Sequence, residues 1–125
     1  MPTADEFDAL AATFATQAER LAGAADAVDR RRLDQPIVAP VIVIPLRDRI
    51  AGLIDQCRSA ARHCADLASE CRHRAEVCRR YSAAIASHQH ATAAWERRAR
   101  EAAPGEWVGS RPQLPLRPAP WAERS

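Results

Sequence analysis

Four cysteines stand seven residues apart, at Cys57, Cys64, Cys71 and Cys78, and their thiols are the most reactive groups in the sequence. Such groups form disulfides, exchange them, or hold soft metals. On a helix, positions i and i+7 are about 10.5 Å apart, beyond the roughly 7 Å ceiling on Cα separation for a disulfide, so no neighbouring pair can bridge within the helix. A metal site within one helix would need a second ligand three or four residues on. Those positions hold Ala60, Ala61, Leu67, Ala68, Arg74, Ala75, Tyr81 and Ser82. The row therefore reads first as small residues on a helix–helix seam. A thiol or soft-metal site that Cys57, Cys64, Cys71 and Cys78 build across chains is the alternative.

Other chemistry finds little support. There is no nucleophile elbow, no glycine-rich phosphate loop and no pair of carboxylates spaced to face one pocket, so neither catalysis nor a cofactor is expected. His63 with Asp66 and His73 with Glu76 have helical spacing but lie off the seam and read as surface pairs. Arg72 to Arg80, with Arg97, Arg98 and Arg100, form a basic stretch in which acids interleave and no stacking aromatics accompany the arginines. It reads as a solvated face, and nucleic acid is not an expected partner. Pro112, Pro115 and Arg117 fit the PxxPxR pattern of a ligand for SH3-like grooves, a match that a Pro- and Arg-rich segment meets close to chance.

The elements that position these residues are helices. Thr3 and Glu6 form a capping box, and Asp5, Glu6 and Asp8 against Arg30, Arg31 and Arg32 suit the macrodipole of a helix over 3–34. Along it Phe7, Phe14, Leu21 and Val28 recur every seven residues. A second helix is expected over 46–103, with Pro45 at its first turn and Pro104-Gly105 ending it. Between them, 35–45 carries three prolines and the apolar Ile37, Val38, Val41, Ile42, Val43 and Ile44, an extended connector whose exposed tip would suit a partner. Residues 104–125 lack periodicity and read as a disordered Pro- and Arg-rich tail. The expected fold is all-α, an antiparallel two-helix hairpin with a long second helix.

Composition bounds this fold tightly. The chain has 125 residues and a net charge of +2; 47% of it is apolar, but 28 residues are alanine, so the core must be thin. All 18 basic residues are arginine, a bias that reads most simply as GC-rich coding. Folding back about residue 39 sets Phe7, Phe14, Leu21 and Val28 level with Cys71, Cys64, Cys57 and Ile50, large against small. The first helix ends opposite residues 72–75, whereas the apolar row of the second continues through Val77, Cys78, Tyr81, Ile85, His88 and Trp95. That overhang is expected to bind another helical chain, as a homo- or heterodimer. No stretch reaches the length of a membrane span, and the acidic start is unlike a secretory signal, so the chain is expected in the cytoplasm, with leaderless export open.

An Ala-rich, leaderless chain with an acidic-start helix, a connector and a second helix bearing the late aromatics Tyr81 and Trp95 resembles the small helical-hairpin substrates of type VII secretion, the WxG and early-secreted-antigen kind and their secretion-associated relatives. The resemblance covers about residues 3–103 and implies two hairpins pairing into a four-helix bundle. Two motifs depart from it. Trp107-Val108-Gly109 lies in the tail instead of the connector, and Tyr81 is followed four places on by Ile85 where the export signal has an acid.

Overall fold

The computed structural model describes the backbone of residues 2–34 and 40–122, with side chains over 2–31 and 44–122. Among the described residues it is all-helical: α1 spans Ala4–Asp34 and α2 spans Pro40–Glu101. The chain divides into two compact units, Ala9–Arg72 and Met1–Asp8 with His73–Ser125.

α1 begins as its capping box dictates. The Thr3 amide donates to Glu6 Oε2 at 2.7 Å and the Glu6 amide donates back to Thr3 Oγ1 at 3.3 Å, satisfying two amides that the helix leaves without partners. The first helical bond follows, from the Phe7 amide to the Thr3 carbonyl at 3.0 Å.

α2 starts earlier than the prolines suggested. Pro40 opens it, and Pro45, expected just before its start, lies inside it. Pro40 has no amide to leave unpaired at a first turn, and Pro45, in the second turn, removes only the bond to the carbonyl four residues back. Of the expected apolar connector, Ile37 and Val38 fall outside the described residues. Val41, Ile42 and Val43 are helical backbone, and Ile44 is half exposed at 50%.

α2 ends at Glu101, two residues short of expectation. Ala103-Pro104-Gly105-Glu106 closes a β-turn by a 3.0 Å bond from the Glu106 amide to the Ala103 carbonyl, with proline second and Gly105 third at φ +83°. This is the order a type II turn needs, since its third residue must take positive φ. Glu106 Oε2 also accepts the Ala103 amide at 2.8 Å, so both ends of the turn are tied.

In the unit of residues 9–72, α1 and α2 pack as an antiparallel hairpin. The deepest positions are Ala11 and Ala25 on α1 and Ile54, Ala61 and Ala68 on α2. The seam is thus centred on alanines at seven-residue intervals, and the expected row is displaced to its flank: Phe14, Leu21, Ile50, Cys57, Cys64 and Cys71 are half-buried, and Val28 is 46% exposed. Alanine at the centre allows close backbone approach, which leaves the larger side chains to line the edge.

Candidate interaction surfaces

The expected overhang lies in the second unit. Cys78 and Ile85 are buried, at 0% and 3% exposure, while Val77, Tyr81, His88, Thr92 and Trp95 are half-buried. All but Thr92 were the residues expected to await another chain, and Trp95 among them is met by the segment after Glu101.

Among its described residues that segment has no helix or strand, as its composition implied, yet it is docked. Gly109, at φ +88°, turns its carbonyl to accept the Trp95 indole N–H at 3.0 Å. The Arg111 guanidinium lies 5.9 Å from the centre of the Trp95 ring and pairs with Glu96 at 3.6 Å. Twelve residues on, Trp121 meets Phe7 edge to face with centroids 6.0 Å apart, and the Arg74 guanidinium stands 4.7 Å over Trp121 and 6.0 Å from Phe7. From Trp95 back to Arg74, α2 covers roughly 31 Å. Twelve residues bridge that span only if extended at about 2.6 Å each, which proline-rich chain does readily. The carbonyl of Ala122, itself buried, accepts Arg117 Nε at 2.6 Å.

This path disposes of the SH3-type motif in the docked state. Pro112 and Pro115, the prolines a groove would grip, are half-buried, and Arg117 is engaged, whereas Leu114 and Leu116 stand out at 63% and 92% exposure. Trp107, the first residue of the Trp-x-Gly triplet, is 80% exposed.

Two arginine forks recur three heptads apart. In residues 9–72, Arg58 donates to Asp26 at 3.0 Å and Asp29 at 3.2 Å. In the other unit Arg79 donates to Asp8 and, at 3.4 Å, to Asp5. The bonds to Asp26 and Asp29 hold the Arg58 guanidinium above its ordinary pKa, and Asp8 does the same for Arg79. A raised value keeps both guanidinium groups charged at all physiological pH. Apart from Asp29, whose side chain is 23% exposed, the partners are largely solvated, so each fork orients more than it stabilises. Arg79 is taken up by acids and Arg80 pairs with Glu76 at 3.2 Å, whereas Arg74, read as part of the same solvated face, is half-buried against Trp121.

The four cysteines are free thiols; Cys78 is buried and the other three are half-buried. Among the described residues no three His, Cys, Asp or Glu side chains converge as metal ligands. His63, Asp66, His73 and Glu76 are exposed, and among the described residues no helix is long and apolar enough to cross a membrane.

What remains is one face of the hairpin. On α1 the row Leu10, Phe14, Leu21 and Val28 is reached by turning about 60–100° from the alanine seam, and on α2 the row Leu53, Cys57, Ala60, Cys64 and Leu67 by about 40–120° in the same sense. Equal turns on antiparallel helices lead to the same side, so both rows share one face, while Asp26 and Arg58 lie about 60° the other way. Leu10 and Leu53 are 42% and 54% exposed there. Sequence reasoning missed this face because it assigned the same heptads to the seam. No family model, curated protein or solved structure matches the chain.

Proposed function

We propose that the chain is a non-enzymatic interaction protein whose hairpin, residues 9–72, completes its core against another helical chain in a four-helix bundle, as the type VII secretion hairpins it resembles do. The observation that carries this reading is the one-sided apolar face of Leu10, Phe14, Leu21, Leu53, Cys57 and Leu67, beside a seam made mainly of alanine. Such a seam buries little. The accessible surface is 9080 Å², against ~6,600 Å² for a compact monomer of this mass, and folding alone hides only about 55% of the extended chain's surface. A 60-residue domain already hides about 60%. This reading puts the partner surface on the hairpin flank instead of Val77–Trp95, where the sequence alone suggested it.

The test is unfolding in urea at several concentrations of the purified chain, alone and with the helical product of an adjacent reading frame. The proposal expects the midpoint to rise with one of the two concentrations. A cooperative transition with a midpoint indifferent to both overturns it.

A further inference from the structure

We propose that the occupant of this face is a second copy of the chain, related by a two-fold axis at the level of Ala60; this rests on the reading that the hairpin pairs with a helical chain. An isologous interface must be complementary to itself about one level, a constraint that an unrelated partner does not impose. The α2 stripe meets it: Leu53, Cys57, Ala60, Cys64 and Leu67 read large, small, smallest, small, large in either direction. On α1, Phe14 and Leu21 bracket Ala18, which the hairpin sets about level with Ala61. A two-fold axis there maps each end of the face onto the other.

Sizes and charges agree with that placement. Alanine and cysteine at the waist let two α2 helices approach closely, and the leucines beyond fill the space where the helices diverge. None of the stripe residues is charged, so two copies meet without stacking like charges.

The experiment is sedimentation equilibrium of the full chain in reductant, for wild type, Leu53→Glu, Ala60→Glu and Leu114→Glu, with helicity read by circular dichroism. Both Leu53 and Ala60 are exposed in the single chain, so their substitution spares its own seam. The expected result is twice the 13.7 kDa chain mass for wild type and Leu114→Glu, and at least a tenfold weaker association for Leu53→Glu and Ala60→Glu at unchanged helicity. If either glutamate variant unfolds, the other decides. A dimer indifferent to both variants overturns the proposal. So does a wild-type monomer at about 0.5 mM. If that monomer binds a different helical chain through Leu53, the second copy is wrong while the interaction reading stands; if it binds none and its unfolding ignores concentration, both fall.

Discussion

Residues 9–72 and the unit of residues 1–8 with 73–122 cover the same kind of surface, a long Ala-rich helix with few bulky side chains, by opposite means. In the first, helix meets helix: Ala11 and Ala25 face a row of Ile54, Ala61 and Ala68, and closeness of backbones substitutes for volume. In the second, an irregular extended segment lies against α2 and Phe7, held at separated points by Trp95 and Trp121. A regular partner needs a matching period along its whole length. An irregular one needs anchors at its ends and a stiff chain between them, which the prolines at 112, 115, 118 and 120 supply.

The comparison breaks most readily at the tail. Ending the chain after Ala103 removes the contacts of Gly109 and Arg111 with Trp95 and of Trp121 with Phe7 and Arg74, and should cost roughly 4 kcal/mol in urea denaturation or drive association through α2. If stability and mass are both unchanged, the tail is no cover. In the hairpin, Ala61→Leu forces the helices apart and should destabilise by about 3 kcal/mol, with no effect on the Trp121 contact. A neutral result there would mean that close approach is not what holds residues 9–72.

Single anchors sharpen the picture further. Trp121→Ala removes the edge-to-face ring contact and the stacked Arg74, and should cost about 2 kcal/mol, whereas Trp107→Ala, at an 80% exposed position, should cost nothing measurable by the same denaturation. The smallest effect belongs to the fork. Arg58→Met should lower Tm slightly at low ionic strength, and the difference should vanish in about 0.5 M salt, as screening of solvated pairs requires. A loss that persists in salt would mark Arg58 as a packing residue.

Much of the hairpin was legible because its signals are local or periodic. Thr3 and Glu6 announce the start of α1, Pro104-Gly105 the turn after α2, and the seven-residue rows a pair of helices. Periodicity alone misassigned the seam, because two adjacent rows share the same repeat and only packing decides that alanine takes the centre while Phe14 and Leu21 move to the edge. Prolines misplaced the start of α2, because a ring in the second turn forfeits one hydrogen bond and the helix tolerates that. The docked tail was not legible. Its anchors, Trp121 on Phe7 and Gly109 beneath Trp95, join residues with no shared period, and composition registers only that the segment cannot be helical.

The duplicated forks bear on a hazard peculiar to low-relief helices, which can slide along one another with little loss of contact. Moving α1 by one heptad would set Arg58 against Glu19 and Ala22, or against Leu33 and Pro36, instead of twin carboxylates. Arg79 would lose its own twin carboxylates at the same moment. One of those slides would offer Asp5 and Asp8 to Arg72, but it leaves Arg58 without a twin; the next alignment that gives either Arg58 or Arg79 twin carboxylates again lies ~31 Å away, farther than the five residues 35–39 can reach. Weak as each is alone, the pair works like the teeth of a vernier: it leaves the hairpin a single setting in which both marks coincide.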